Sequence, residues 1–323
     1  MARDSSATPQ PTSISQLAAA QLKIRLKLVR TQLKSTASHW KKDARHLHEL
    51  RISLRRALAC LQLFRPCCRP EKQYRWLKRR LRAVLKSTSP ARDLDVLLAR
   101  PLAKSGKAGQ TLRKSWISKR QKAQKPLQRH HSRLIQEGKL RKHSRALLKA
   151  TAGMNCPEVL PSEPYRWALL QLQQQLVTLL RAIPADPDIK ALHKFRIAAK
   201  QLRYTAEIVA EITADSCVTD VLNQLTAVQK QLGRLQDESV AAKSLAQAER
   251  KSSKRPSGAS KLRQQADSCN ETGVRLSHEL SAWLKQDVQP VLRRLAGLLV
   301  PPEAVSLTPA ASAARKPSGR RRS

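Results

Sequence analysis

Two stretches of this sequence, about 145 residues apart, begin with a histidine and then repeat positively charged residues at the same spacing. The first reads LHELRISLRRALACLQLF from Leu47, and the second reads LHKFRIAAKQLRYTAEIV from Leu192. Intervals of three and seven residues place side chains on one face of a helix. The matched residues are His48, Arg51 and Arg55 in the first stretch and His193, Arg196 and Lys200 in the second.

Such a helix face could bind phosphate groups. A guanidinium donates two hydrogen bonds from one plane, whereas a lysine acts as a point charge. A bound phosphate chain would also favour protonated histidine, which then becomes a further donor. Arg56 extends the first face and Arg203 the second. The alternative is an ordinary amphipathic helix with solvated cations and a packed histidine, and the repetition argues against it.

A further row of cations follows the first stretch. Its members lie four, three and four residues apart, and they are Arg75, Arg79, Arg82 and Lys86. Like charges at these intervals repel one another on a helix, and no acid lies among them. An anion bound along the row would neutralise it, and a solvated basic face is the alternative.

Two aspartates lie in matched segments, SPARDLDVLLA and LGRLQDESVAA. We expect Asp93 and Asp237 each to lie where a new helix begins. There an acid could cap the helix or pair with an arginine of a basic face. An Asp/Asp metal or acid–base pair is the alternative. Few other acids lie nearby, which argues against a magnesium site, and we predict neither a metal nor a cofactor.

The composition indicates a helical protein with anionic partners. The 323 residues include 63 Lys and Arg against 23 Asp and Glu, a formal net charge of +40 that is concentrated in the first 150 residues. Such a charge attracts nucleic acid, anionic membrane or polyphosphate. Aromatic residues make up 3% of the chain and glycines number 9, which disfavours sandwiches, barrels and Gly-rich nucleotide folds. Six cysteines without a CxxC pair indicate reduced thiols.

The elements that must position these faces follow from the hydrophobic periodicity and the breaks. We predict helices over 15–35, 39–64 and 71–86, a fourth that starts after a break at 87–90, and a basic helical stretch over 110–150 kinked near Pro126. After a hinge at 151–164, helices are expected at 165–182, 188–213, 216–234, 236–250, 259–283 and 286–299. Residues 1–14 and the basic tail 300–323 are expected to be disordered.

The repeated His-x-x-Arg-x-x-x-Arg/Lys pattern, followed by ARDLDVL and LGRLQD, resembles the conserved histidine α-helical (CHAD) domain over 15–299. The resemblance implies an all-α fold of two similar four-helix halves, 15–150 and 165–299, related by a pseudo-twofold around a basic cavity that binds inorganic polyphosphate. It implies that the ligand contacts His48, Arg51, Arg55, Arg56, His193, Arg196, Lys200 and Arg203. The row from Arg75 to Lys86 is expected to join them, on its spacing more than on a motif match. The family usually has another arginine where this chain has Leu58.

The resemblance therefore predicts a stand-alone, non-catalytic protein that binds inorganic polyphosphate. No ExExK stretch is present, so the catalytic triphosphate-tunnel domain of some relatives is not expected. Two alternatives stay open: a non-specific RNA-binding protein that uses the basic tail, and a phosphatase or phosphotransferase that uses His48 or His193. No apolar run reaches the roughly 18 residues that a membrane span needs, so we expect a cytoplasmic protein. The polyphosphate ligand that the resemblance implies would associate it with polyphosphate granules.

Overall fold

The computed structural model describes residues 13–40, 43–100, 106–154, 163–186, 188–251 and 256–299, and these residues contain helices and no strand. The all-α prediction is therefore confirmed. The α-helices, in chain order, are α1 (Ile14–His39), α2 (Arg45–Leu63), α3 (Glu71–Ser87), α4 (Ser89–Ala99), α5 (Gly106–Lys122), α6 (Lys125–His131), α7 (Lys139–Ala152), α8 (Pro164–Arg181), α9 (Ile189–Thr213), α10 (Ser216–Lys251), α11 (Pro256–Trp283) and α12 (Gln289–Leu298).

The N-terminal helices follow the predicted order, with boundaries that differ at three places. The second helix starts at Arg45 instead of residue 39, because α1 continues to His39. Asp43 marks the new start, since its side chain accepts a hydrogen bond from the Arg45 backbone N at 2.7 Å. α3 spans Glu71–Ser87, one residue longer than predicted. The predicted break over 87–90 is wrong except at Thr88, because α4 begins at Ser89 with Pro90 in its first turn.

The basic stretch over 110–150 is divided where its sequence breaks the helical pattern. α5 ends before Pro126, which occupies the first turn of α6, where its missing N–H costs no hydrogen bond. A π-helical turn over Ser132–Gln136 then leads to Gly138. That residue has φ +66°, a left-handed conformation that glycine adopts without strain, and α7 begins at Lys139.

The predicted break between 234 and 236 is wrong, because α10 is one helix of 36 residues. Gly233 lies inside it, where glycine costs about 1 kcal/mol relative to alanine. Burial of Leu232 and Leu235 against the core offsets that cost. Asp237 therefore does not begin a helix. Asp93 does not cap one either, since α4 begins four residues earlier.

One continuous core connects helices from both parts of the chain. α1, α2, α3 and α7 pack together, α8, α9, α10 and α12 pack together, and α2 contacts α9 between them. The Phe64 and Trp167 rings stack across this boundary with centroids 5.3 Å apart. A smaller apolar cluster joins α4 and α5 to α10 and α11. The pseudo-twofold relation between two halves stays a prediction.

Two further sequence predictions concern cysteines and membranes. Cys60, Cys67, Cys68, Cys217 and Cys269 are free thiols, and the first three are buried in the core. Among the helices of the described residues, none is both long and apolar enough to cross a bilayer.

The N-terminal residues 1–12, most of the predicted hinge and the tail from residue 300 lie outside the described residues.

Candidate functional site

The two basic faces meet where α2 packs against α9. Lys200 of α9 is half-buried there, and its pKa is lowered to about 7. Burial is the largest cause, and the positive charges of Arg196, Arg55, Arg51 and Arg203 add to it. A cation that shares its surroundings with four arginines is stabilised when an anion enters, because the anion offsets the repulsion.

Arg55 of α2 links the two faces electrostatically. Its charge lowers the pKa of Lys200, of Arg196 and of Arg51, in each case together with burial as the larger cause. It also contributes to the lowered pKa of His48, for which desolvation is the largest cause. Arg55 is partly exposed and has no hydrogen bond or ion pair to another described residue. Its guanidinium can therefore bind a ligand.

Arg51, at the centre of the first face, is used by the protein itself. It is 7% exposed, and its Nη1 donates hydrogen bonds to Leu85 O at 2.8 Å, Thr88 Oγ1 at 2.8 Å and Ser89 Oγ at 3.3 Å. Burial, followed by the charge of Arg55, lowers its pKa to about 10. These bonds attach α2 to the corner between α3 and α4.

Arg56 and Arg203 share one carboxylate. Glu207 is buried, accepts a hydrogen bond from Arg56 Nε at 2.6 Å and forms an ion pair with Arg203 one helical turn away. Arg25 of α1 pairs with Glu211 one turn further along α9. The two carboxylates therefore connect α1, α2 and α9, and they neutralise part of the predicted ligand face.

The two histidines have different neighbours. His193 Nδ1 lies 2.5 Å from Gln236 Oε1, beside a cavity of about 360 Å³ between α9 and α10. The position that matches Gln236 in the first half is occupied by Arg92. Its charge lowers the pKa of His48, and desolvation is the larger cause of that shift. The histidines are both exposed. His193 is thus oriented by an amide, and His48 lies beside a further cation.

Sequence reasoning did not assign Arg92 to the site, although the matched ARD and LQD segments point to its position. Its charge acts on His48, Arg51 and both Asp93 and Asp237. Desolvation raises the pKa of each aspartate, and the surrounding arginines oppose that shift. The negative charge of Asp237 adds to the shift at Asp93. The two aspartates therefore lie in one charged cluster with the basic faces.

The three arginines of the α3 row face a cavity of their own. Arg75 pairs with Glu71 at 2.7 Å, and Arg75, Arg79 and Arg82 line a separate cavity with Arg65, Tyr74 and Lys78. The leading charge contributions at Lys200, Arg196, Arg51 and His48 include none from α3. In the 110–150 stretch, Arg120 is buried and pairs with Asp95 at 2.6 Å.

The site is thus a cluster of cations with few carboxylates, and the cavity between α9 and α10 lies at its His193 end. Within the described ranges, no three His, Cys, Asp or Glu side chains are grouped so that they could hold a metal ion. Such a cluster can bind several phosphate oxygens at once, because arginines supply paired donors and lysine supplies a point charge. Fold and site define an all-α protein with an electropositive site.

The family model of the CHAD domain matches residues 25–246, and the chain therefore belongs to the CHAD domain family. This family is associated with polyphosphate binding. The matched range contains both basic faces, the α3 row and the two aspartates. A comparison with curated proteins gave no match.

Two of the solved structures that are similar to this chain show the same fold. The crystal structure of the CHAD domain from the plant Ricinus communis has a TM-score of 0.59 and 21% identity, over 90% of this chain and 93% of that chain. The structure of PptA from Streptomyces chartreusis has a TM-score of 0.55 and 19% identity, over 84% of this chain and 99% of that chain. At this level of identity the likeness shows the fold.

Proposed function

We propose that this protein binds inorganic polyphosphate in the cluster formed by α2 and α9. The observation that carries the proposal is the environment of Lys200, a half-buried lysine among four arginines with a pKa of about 7. Keeping these charges together costs free energy that a polyanion would recover. Family membership supports the same ligand class.

The predicted residues fall into two groups, according to whether their side chains are bonded within the protein. Arg55, Lys200, Arg196, His48 and His193 are the direct ligands, and Arg92 joins them. Arg51, Arg56 and Arg203 hold the helices in register through their bonds to the α3–α4 corner and to Glu207, and they add positive potential. The affinity is then mostly ion pairing with counterion release, which falls steeply with salt.

We propose binding without catalysis. Phosphoryl transfer needs a positioned nucleophile or base and a means of stabilising the leaving group. His193 lies beside Gln236 and His48 beside Arg92, and among the described residues neither has a hydrogen bond to a carboxylate that would orient it as a base. No metal or cofactor enters the proposed mechanism.

The test is competition between long-chain polyphosphate and RNA for the full chain at physiological salt. We expect polyphosphate to displace RNA, and the double variant Arg55→Gln/Lys200→Gln to lose at least tenfold in polyphosphate affinity. The matched control is Arg141→Gln/Arg145→Gln, which removes two exposed α7 cations and the same formal charge. If both variants lost affinity equally, the binding would depend on net charge and not on this site.

A further inference from the structure

A second basic cavity lies at the corner between α2 and α3. Its volume is about 490 Å³, and it is lined by Arg65, Glu71, Tyr74, Arg75, Lys78, Arg79 and Arg82. Glu71 is the sole carboxylate in that lining, and it is already bonded to Arg65 at 2.5 Å and to Arg75 at 2.7 Å. Three cations of the lining, Lys78, Arg79 and Arg82, have no ion pair among the described residues.

The cavity is held in shape by a buried aromatic ring. Tyr74 is 3% exposed, and the Arg65 guanidinium lies 4.4 Å and the Lys78 Nζ 5.2 Å from its ring centroid. Lys78 Nζ also donates to Tyr74 Oη at 3.0 Å. Cations that are positioned before a ligand arrives lose less conformational entropy on binding. Arg65 and Lys78 were not among the sequence-predicted ligands.

The cavity is aligned with the α2–α9 cluster. Arg55 and Gln62 lie on one face of α2, seven residues or about 10 Å apart, and Gln62 Oε1 accepts a hydrogen bond from Lys78 Nζ at 3.3 Å. At the other end of α3, Arg51 of the same α2 face donates to Leu85 O. α2 and α3 therefore run antiparallel. The row Lys86, Arg82, Arg79 and Arg75 leads from the α2–α9 cluster towards the cavity.

We propose that the cavity is a second subsite for the same polyanion, occupied by the part of a long polyphosphate chain that extends beyond the α2–α9 cluster. This inference rests on the proposed function. Short oligophosphates fill the central cluster alone, whereas long chains reach both subsites and bind more tightly. The second contact is intramolecular, so it raises affinity through a high effective concentration.

The experiment compares tripolyphosphate with long-chain polyphosphate on the full chain, by calorimetry over a range of salt concentrations. The variant Arg79→Gln/Arg82→Gln changes two exposed residues without described hydrogen bonds. We expect it to lose about tenfold in affinity for the long chain, with a salt dependence that is shallower by roughly 1 to 2 charges. Tripolyphosphate affinity should stay within about twofold.

Any other result of this experiment would contradict the proposal of a second subsite. An equal loss for both chain lengths would mean that α3 and the α2–α9 cluster form one site. Unchanged long-chain affinity, or a loss equal to that of the Arg141→Gln/Arg145→Gln control, would mean that the cavity is not occupied specifically. Failure of the proposed function is distinguishable, because it would show as undiminished tripolyphosphate and long-chain binding in Arg55→Gln/Lys200→Gln.

Discussion

Arg51 Nη1 donates a hydrogen bond to Thr88 Oγ1 at 2.8 Å and so attaches the middle of α2 to the corner between α3 and α4. Its counterpart in the second copy, Arg196, has no hydrogen bond to another described residue, and its buried Nε lacks a partner. Two residues at equivalent places of one repeated pattern thus have different surroundings. The first supports the fold, and the second is available to a ligand.

The first prediction follows from this difference. Arg51→Gln should lower the free energy of unfolding by about 2–3 kcal/mol, because it removes hydrogen bonds from a buried charged donor. Arg196→Gln should change it by less than about 1 kcal/mol, while weakening polyphosphate binding more. Urea unfolding and calorimetric titration measure the two effects. Equal stability losses in the two variants would contradict the assignment.

The second prediction concerns proton uptake by Lys200. At pH 8 the free site holds this lysine mostly neutral, because its pKa is about 7. A bound polyanion favours the charged form and raises the pKa, so binding should take up protons. Calorimetry at pH 8 in buffers of different ionisation enthalpy measures the number. We expect close to one more proton taken up by the wild type than by Lys200→Gln, and the same uptake in both would refute the role.

The third prediction is the effect of the same lysine on stability without ligand. Its pKa in the folded protein, about 7, is lower than the ordinary value of 10.5, so the folded state binds fewer protons between those values. Stability should therefore rise as the pH increases from 7 towards 10.5. The rise should be smaller in Lys200→Gln, measured by urea unfolding at pH 7 and pH 9. A matching rise in the variant would exclude Lys200 as its source.

The fourth prediction separates stability from affinity at Glu207. Glu207→Gln leaves Arg56 and Arg203 without their shared carboxylate. These pairs are partly buried, so the loss of stability should be smaller than the cost of about 3–5 kcal/mol for a fully buried pair. The freed arginines should strengthen polyphosphate binding and steepen its salt dependence. Thermal unfolding with and without polyphosphate tests both effects. The ligand should raise the Tm of the variant more than that of the wild type, and an equal rise would argue against the idea.

The fifth prediction concerns nucleic acid and the basic tail. Removal of residues 301–323 deletes a run ending in RKPSGRRRS, outside the described part of the chain. RNA affinity should fall by about tenfold or more, because non-specific binding follows the number of phosphate contacts. Long-chain polyphosphate affinity should change by less than about threefold. Filter binding measures the affinity of the truncated protein for both ligands. An equal loss of affinity for RNA and for polyphosphate would mean that polyphosphate binds the tail as well.

The positions of most helices and of both basic faces could be predicted from the sequence, because periodicity and cation spacing are local properties. The single helix α10 was not predicted, since the packing of Leu232 and Leu235 outweighs the local preference at Gly233. The second subsite was visible only as a row of arginines. Its cavity depends on Tyr74 of α3 and on Arg65, which the chain reversal between α2 and α3 brings alongside the row.

What the sequence by itself determined is the helical class, the family and the set of cations available to a polyanion. Which cations are free was decided by the tertiary structure. Arg51 meets Thr88 37 residues away, and Arg56 meets Glu207 151 residues away. A partner at such a separation is chosen by how helices pack, which no local pattern contains. The repeated histidine pattern therefore marks the cation cluster, and packing decides which of its residues the protein uses to support its own fold.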